Sequence, residues 1–419
     1  MHRLKIVAGL LLALLLPAGA AFAQPDTGDA DFTRYVALGD SLTAGFSSGS
    51  INQEFQVNSY PALIYRQATG RTTGFEQPLV SAPGIPGALR LVSLRPLILA
   101  PTPGQGQPLN LNLNRPYNNM AVPGAKLGDL LRKTQSSSAS DPTDLILRRL
   151  GFTQLQQGLS LQPTLVTLWI GNNDVLAAAT SGRVIEGVTI TPVAQFEADF
   201  RSVAGAIAQT GAEMAIANIP NVTSIPFVTT IPRFVVNPQT NQPVLVNGQP
   251  VPLIGPNGPL QAGDFVLLTA SAELAQGNGL PPGIPGASGR PLSDAAVLSA
   301  AEVATIQARV QAYNNIIRTV ATERNAAFVD TNAVLSDLAT RGLRIGGITF
   351  TSAFLTGGVF SYDGVHPTPF GYAYIANLFI EAINDKFDAE IPLVNLFPFI
   401  FGTATSSLSA GLEGGKAAS

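Results

Sequence analysis

Short and nearly continuous apolar runs recur along the chain and alternate with helical patterns. The runs lie at Tyr35–Leu38, Leu165–Ile170, Glu213–Ala217 and Ala326–Val329, with a weaker one near Asn119–Val122. Strands that are hydrophobic throughout are typical of a parallel sheet covered by helices on both faces. The alternation therefore predicts an α/β fold built on a parallel sheet.

Three helices are marked by their start signals and by apolar residues at spacings of three and four. The predicted starts are Thr191-Pro192 as N-cap and first residue, Ser299 with Glu302 as a capping box, and Thr368-Pro369. The third helix is predicted to continue to about Phe387. Apolar stripes of this kind are typical of helix faces that pack on a core, so they predict no functional residues.

Two long stretches interrupt the alternation. Residues 68–118 are rich in Gly and Pro and predict an extended loop with little regular structure. Residues 221–298 predict a hairpin in which Val244–Val246 and Val251–Leu253 flank Asn247-Gly248. Both are interpreted as insertions into a single domain of residues 24–402. Loops of this length inside a compact fold are commonly lids or binding loops.

The two ends of the chain differ from the rest. Arg3 and Lys5 precede an apolar run over residues 6–16 and small residues that end at Ala23, which predicts a secretory signal peptide over residues 1–23. The run is shorter than the roughly 20 apolar residues of a membrane-spanning helix. We therefore expect export to the periplasm or the extracellular space. Residues 403–419 are rich in Gly, Ser and Ala and predict a disordered tail.

The composition excludes several kinds of chemistry. The 419 residues include no Cys, which excludes a disulfide scaffold, thiolate catalysis and cysteine-based metal sites. His2 lies in the predicted signal peptide, so His366 is the one histidine of the mature chain. A zinc site would then need carboxylates almost alone, and we expect neither a metal nor a cofactor. The net charge of −3 gives no reason to expect binding to nucleic acid.

A serine lies where the first predicted strand ends, in Gly39-Asp40-Ser41-Leu42. In open parallel sheets, ligands bind beyond the carboxyl ends of the strands. A serine hydroxyl attacks a carbonyl efficiently only when a general base removes its proton. His366 could be that base, and Asp363, three residues earlier, could orient its imidazole ring. Taken alone, the serine segment fits an ordinary turn or cap slightly better, and His366 could be a loop histidine that lies near an acid by chance.

Two further strand ends carry groups that could stabilise an oxyanion. The run Leu165–Ile170 is followed by Gly171-Asn172-Asn173-Asp174, and the segment near Asn119 ends at Gly124. Carboxamide groups and the N–H of a glycine are suitable donors to a developing negative charge. Turn formation at a strand end is the simpler explanation for each segment by itself.

Taken together, four segments are more specific than any one of them. Gly39–Leu42, Asn119–Gly124, Gly171–Asp174 and Asp363–His366 occur in this order and resemble the four sequence blocks of the SGNH/GDSL hydrolase family. The resemblance extends over about residues 33–388. It implies a flavodoxin-like α/β/α three-layer sandwich with a mostly parallel five-stranded sheet, which agrees with the strand pattern.

The resemblance also implies roles for individual residues. Ser41 would be the nucleophile, His366 the general base, and Asp363 its orienting partner. The oxyanion hole would consist of the Ser41 N–H, the Gly124 N–H and the side-chain amide of Asn173. These roles describe a serine hydrolase that forms an acyl-enzyme and needs no cofactor.

The expected function is a secreted ester hydrolase of the lipase or carboxylesterase type. The apolar insertions favour small-molecule or lipid-like ester substrates, although the same residues could simply cover an enlarged core. A polysaccharide O-acetyl esterase and a non-catalytic binding protein on the same fold are the alternatives. We expect a monomer in which the apolar segment 391–401 packs on the core, with peripheral contact to a membrane or lipid as the alternative for that segment.

Overall fold

The structure is a computed structural model that describes residues 25–94, 97–240 and 242–401. The predicted signal peptide and the predicted disordered tail lie outside these residues. The strands are β1 Tyr35–Gly39, β2 Leu89–Leu94, β3 Leu97–Pro101, β4 Leu165–Trp169, β5 Glu213–Ala217, β6 Leu245–Val246, β7 Gln249–Pro250, β8 Ile254–Gly255, β9 Gly258–Pro259, β10 Phe265–Val266, β11 Val297–Leu298, β12 Ala327–Val329, β13 Leu343–Ile345 and β14 Ile348–Phe350.

The α-helices vary from single turns to long helices of the outer layers. They are α1 Ser41–Ala44, α2 Gln53–Gln56, α3 Tyr60–Thr69, α4 Asp129–Arg132, α5 Thr143–Leu147, α6 Gln154–Ser160, α7 Asn173–Ser181, α8 Val193–Ala208, α9 Pro226–Thr229, α10 Ser271–Ala275, α11 Ala300–Glu323, α12 Thr331–Thr340, α13 Pro369–Phe387 and α14 Phe397–Phe401. Within the described ranges, no helix is both long enough and apolar enough to cross a membrane.

The central sheet is parallel and has the strand order β1-β4-β5-β12, as the apolar runs predict. The fifth strand expected from the family resemblance is reduced, within the described residues, to one parallel bridge between Ala37 and Asn119. Met120 N–H donates to Ala37 O over 3.0 Å. The ladder ends soon afterwards because Pro123 has no N–H to donate and Gly124 turns the chain at a φ of 81°.

Helices cover both faces of the sheet and give three layers. Val36 and Leu38 point to the face covered by α8 and α11, where the Phe196 and Tyr313 rings stack with centroids 3.9 Å apart. The other face is covered by α3 and α13. The α/β/α sandwich is therefore confirmed, and alternate residues of the buried strands supply the two cores.

Two of the three predicted helix starts are confirmed. Ser299 and Glu302 form the capping box of α11, and Thr368 is the N-cap of α13, which ends at Phe387. The prediction at Thr191 is wrong, because α8 begins at Val193 and Thr191 does not cap it. The Thr191 hydroxyl instead donates to the buried Asp174 carboxylate over 2.7 Å, so a tertiary contact replaces the local cap.

The first insertion contains more regular structure than predicted. β2 and β3 form an antiparallel hairpin with a bulge at Val92, so the prediction of an extended loop over residues 68–118 is wrong there. Many of the Gly and Pro residues that suggested a loop lie at residues 83–87, before β2, and at residues 101–104, where β3 ends, whereas the strands consist mainly of apolar residues. The Gly- and Pro-rich segments next to β2 and β3 therefore led to a loop prediction for the strands as well.

The second insertion contains the predicted hairpin. β6 pairs with β7 around Asn247 and Gly248, which have φ values of 51° and 79°. β8 pairs with β9, and β10 pairs with β11 at the end of the insertion. A separate small apolar cluster forms there, with buried residues Val235, Leu253, Leu260, Val266, Ala270, Leu292, Ala296 and Val297. The assignment of both insertions to one domain stays a prediction.

The segment after α13 is partly buried. Ile391 and Val394 pack into the core on the α3 and α13 face, as expected for a core-packing segment. Leu393, Phe397 and Phe401 are exposed. The helix α14 therefore presents aromatic side chains at the surface.

Candidate active site

Ser41 lies at the junction of β1 and α1. Asp40 caps the helix, since its Oδ1 accepts a hydrogen bond from Leu42 N–H over 3.0 Å. A side chain at Gly39 would come within 2.5 Å of Trp169 O, so the tight approach of β1 and β4 requires glycine there. The strand and cap together fix Ser41 at the carboxyl end of the sheet, with its side chain largely buried.

Ser41, His366 and Asp363 form one hydrogen-bonded chain. The Nε2 atom of His366 lies 2.8 Å from Ser41 Oγ, and its Nδ1 atom lies 2.9 Å from Asp363 Oδ2. Gly364 turns the loop between the two residues at a φ of 70°. The Phe46 ring packs against the imidazole with centroids 4.8 Å apart. The structure thus brings the three predicted catalytic residues together across more than 300 residues of sequence.

The Asp363 carboxyl has a pKa below its ordinary range. Burial alone would raise the pKa, but the His366 charge and the hydrogen bonds from His366 and Val365 outweigh burial and lower it to about 2. The N–H groups of Val365 and His366 donate to Oδ1 over 2.9 and 2.8 Å. The carboxylate is therefore ionised at neutral pH beside the Nδ1 atom of His366.

A short segment after α1 holds the loop that carries Asp363 and His366. Ser47 Oγ donates to Pro367 O over 2.9 Å, and Ser48 N–H donates to Ser361 Oγ over 2.8 Å. Gly49 N–H donates to Asp363 Oδ2 over 2.8 Å. Residues 47–49 carry no sequence signal for this role, because the contacts join segments that are distant in sequence.

The three predicted oxyanion donors lie on segments that meet at the β1–α1 junction. Val122 N–H donates to Gly39 O over 3.2 Å. Asn173 Nδ2 donates to Ala125 O over 3.0 Å, which leaves its second amide hydrogen available. Within the described ranges, the backbone N–H groups of Ser41 and Gly124 have no hydrogen-bond partner. Gly124 is exposed, so its N–H is accessible.

Two buried carboxyl groups brace these segments, and neither role was predicted from the sequence. Asp40 Oδ2 accepts from Asn172 Nδ2 over 2.8 Å. Asp174 Oδ2 accepts from Leu127 N–H over 2.8 Å. Burial raises the pKa of each carboxyl to about 6. The sequence signal that could have indicated these roles is the position of Asp40 and Asp174 next to Ser41 and Asn173.

An open cleft of about 480 Å³ adjoins Gly124. Its apolar wall includes Phe46 and Leu145, and the first insertion contributes Ile85, Pro86 and Gln105. A second cavity of about 140 Å³ is lined mainly by apolar side chains, among them Leu42, Val365 and Phe370, and it includes none of the predicted oxyanion donors. Ser41 and His366 line neither space, but the first cleft includes Gly124, one of the predicted oxyanion donors, and it is therefore the candidate substrate site.

Metal-ligating side chains do not cluster in the part of the chain that the structure describes. No three His, Cys, Asp or Glu side chains there come close enough together to hold a metal ion.

Comparisons with known proteins give one family match and several distant structures. A profile of the family described as GDSL-like lipase/acylhydrolase matches residues 35–379. An acetylxylan esterase from Geobacillus stearothermophilus has 14% sequence identity and a TM-score of 0.38, with 85% of this chain and 96% of that chain covered. An extracellular lipase from Streptomyces rimosus has 15% identity and a TM-score of 0.35, with 84% and 98% covered. No curated protein matches the sequence.

Proposed function

Because the chain belongs to the GDSL-like lipase/acylhydrolase family, we propose that it cleaves carboxylic esters through an acyl-enzyme formed on Ser41. Membership makes the protein a serine hydrolase of the esterase and lipase type. The hydrogen-bonded chain from Ser41 Oγ through His366 to Asp363 carries the proposal. A non-catalytic binding protein would not need that chain to be complete.

The proposed reaction has two steps. Ser41 Oγ attacks the ester carbonyl carbon while His366 Nε2 takes the hydroxyl proton. Asp363 fixes the proton of His366 on Nδ1 and stabilises the imidazolium. The tetrahedral intermediate collapses, His366 gives the proton to the leaving alkoxide, and an alcohol departs. Water, deprotonated by His366, then attacks the acyl-enzyme and releases the carboxylic acid.

The negative charge of each tetrahedral intermediate would be stabilised by three donors. These are the N–H groups of Ser41 and Gly124 and the free amide hydrogen of Asn173. Donors held by strand ends and by the Ala125 contact need little reorganisation when the charge develops.

A matched pair of serine variants tests this mechanism. Ser41→Ala should lower kcat for a soluble aryl ester by at least about 10³-fold, because it removes the nucleophile. Ser202→Ala makes the same substitution on the exposed surface of α8 and should leave kcat unchanged. Turnover by Ser41→Ala at the wild-type rate would contradict the assignment of Ser41.

The cleft supports a lipid-like ester as the substrate. Its walls are mainly apolar, and its volume of about 480 Å³ exceeds the space that an acetyl group needs. We therefore propose that acyl chains of medium length bind along Phe46 and Leu145. A series of p-nitrophenyl esters from acetate to decanoate should show kcat/KM increasing beyond acetate. A strong preference for acetate would favour a polysaccharide O-acetyl esterase instead.

Export is a separate proposal that depends on the N-terminal sequence. Expression of the full chain in a bacterial host should give an exported protein whose first residue is Gln24. N-terminal sequencing of the protein recovered from the periplasm or medium provides the test. Recovery of the protein in the cytoplasm with Met1 still present would contradict it.

A further inference from the structure

The β2–β3 hairpin of the first insertion exposes apolar side chains near its tip. Val92, Leu97 and Ile98 are 49%, 41% and 44% exposed. None of these side chains belongs to a buried apolar cluster of the described residues. An isolated two-stranded hairpin is at best marginally stable in water, and exposed apolar strands favour association. These features indicate that the hairpin contacts a partner.

The charge of the surrounding stretch restricts the chemistry of that partner. No Asp or Glu occurs between Glu76 and Asp129, although the chain as a whole has a net charge of −3. Basic residues do occur in this stretch, and Arg90 of β2 is exposed beside the apolar strand residues. Basic and apolar side chains that are exposed on one element complement a surface that is anionic outside and apolar beneath.

The base of the hairpin is continuous with the candidate substrate cleft. Ile85 and Pro86 precede β2, Gln105 follows β3, and all three line the cleft beside Gly124. Leu89 N–H also donates to Ser48 O over 2.8 Å, which attaches the hairpin to the segment that holds the catalytic loop. A surface that contacts the hairpin would therefore lie close to the cleft.

From these three observations we infer that the β2–β3 hairpin docks the enzyme on an anionic lipid surface that carries its ester substrate. The inference rests on the proposed ester hydrolase function for the identity of the substrate, but the docking itself requires no catalysis. Val92, Leu97 and Ile98 enter the acyl region, while Arg90 contacts anionic headgroups. Substrate molecules at the surface then reach the cleft without crossing bulk water.

Binding is measured with the Ser41→Ala protein, so that hydrolysis does not alter the lipid. Co-sedimentation compares vesicles of phosphatidylcholine alone with vesicles that also contain phosphatidylglycerol. We expect tighter binding to the phosphatidylglycerol vesicles and weaker binding as the salt concentration increases. Equal binding to both kinds of vesicle, or no binding to either, would overturn the inference.

Variants locate the contact. In the Ser41→Ala background, we combine the substitutions Val92→Thr, Leu97→Thr and Ile98→Thr. Threonine is polar but favours strands, so the hairpin should be retained while vesicle binding decreases at least tenfold. The matched control, Leu245→Thr with Val246→Thr, changes two residues that are each 57% exposed on the β6–β7 hairpin and should change binding less than twofold. Equal losses in the two variants would show nonspecific partition and contradict the assignment.

Arg90→Gln separates the electrostatic contribution from the apolar one. It should weaken binding to phosphatidylglycerol vesicles about fivefold and leave binding to phosphatidylcholine vesicles unchanged. The hairpin variants with Ser41 intact should keep wild-type turnover of a soluble short-chain aryl ester. Loss of vesicle binding with full soluble turnover supports the docking surface, whereas absent turnover in the wild type would contradict only the proposed function.

A second copy of the chain is the competing occupant of the hairpin. Light scattering across the concentrations of the binding assay tests it. A dimer that the threonine substitutions dissociate, with vesicle binding unaffected, would overturn the lipid assignment in favour of self-association.

Discussion

The substitution Asp40→Asn should stabilise the protein relative to the wild type, and this gain in the free energy of unfolding should be larger at neutral pH than at acidic pH. Asp40 is completely buried beside Ser41, and burial raises its pKa from 3.8 to about 6, while the hydrogen bonds from Asn172 and Leu42 oppose that rise. One pKa unit corresponds to about 1.4 kcal/mol. The ionised Asp40 therefore costs the folded state about 3 kcal/mol.

The direction of the pH dependence follows from the raised pKa. The unfolded chain loses this proton near pH 3.8, whereas the folded protein keeps it up to about pH 6. The stabilising contribution of Asp40 is thus fully present below pH 3.8 and is lost as the pH rises through 6. Asp40→Asn has no such loss, so its advantage over the wild type should grow by about 2 kcal/mol between pH 4 and pH 7.

The surroundings of Asp40 can accept the substitution. An asparagine oxygen at position 40 can still accept from Leu42 N–H. Asn172 Oδ1 is buried and has no hydrogen-bond partner. Rotation of the Asn172 amide would let that oxygen accept from the new amide nitrogen, so the hydrogen bond between the two side chains would be kept.

Urea unfolding at a series of pH values measures the effect. The free energy of unfolding is compared for the wild type, Asp40→Asn and Asp31→Asn at each pH. Asp31 also accepts a backbone N–H at a helix start, over 2.8 Å, but on the exposed surface. A difference between Asp40→Asn and the wild type that stays constant from pH 4 to pH 7 would refute the reasoning.

Two further substitutions separate catalysis from stability at the site. Asn173→Ala should lower kcat for a soluble aryl ester by about 10²-fold to 10³-fold with little change in KM, because it removes one oxyanion donor. The control is Asn315→Ala on the exposed face of α11, which should leave kcat unchanged. A change in KM alone for Asn173→Ala would contradict the role of Asn173. Gly364→Ala should lower both Tm and kcat, because its φ is 70° and the added Cβ would lie 3.1 Å from Phe227 N. Gly187→Ala, with a φ of 77° and open space around it, should lower Tm but leave kcat unchanged, and equal kcat losses would exclude a local effect on the catalytic loop.

The main elements were predictable where local pattern and burial agree. The strands β1, β4, β5 and β12 form a sheet that helices cover on both faces, so nearly continuous apolar runs identify them. The caps of α11 and α13 depend on residues three positions apart, so they were predicted correctly from the local sequence. The start of α8 was predicted incorrectly because the Thr191 hydroxyl is bound by Asp174, which lies 17 residues earlier.

Some features of the candidate site were likewise predictable from the sequence, and others were not. Ser41, Asp363 and His366 were predicted from residue types, from the single histidine outside the predicted signal peptide and from the family resemblance. The support of the catalytic loop by residues 47–49 was not predictable, because backbone N–H groups make two of its three contacts and every residue carries such a group. The pKa of Asp40 was also inaccessible, since it depends on complete burial.

By itself, the amino-acid sequence determined the α/β class, the order of the buried strands and helices along the chain, and the residue types available for ester hydrolysis. These properties depend on hydrophobic period, local caps and composition, which are carried by neighbouring residues. Only the tertiary structure decided that Ser41 and His366 meet at 2.8 Å, and that the first insertion is both a wall of the cleft and an exposed apolar hairpin. Such contacts join segments hundreds of residues apart, and their geometry follows from how the layers pack.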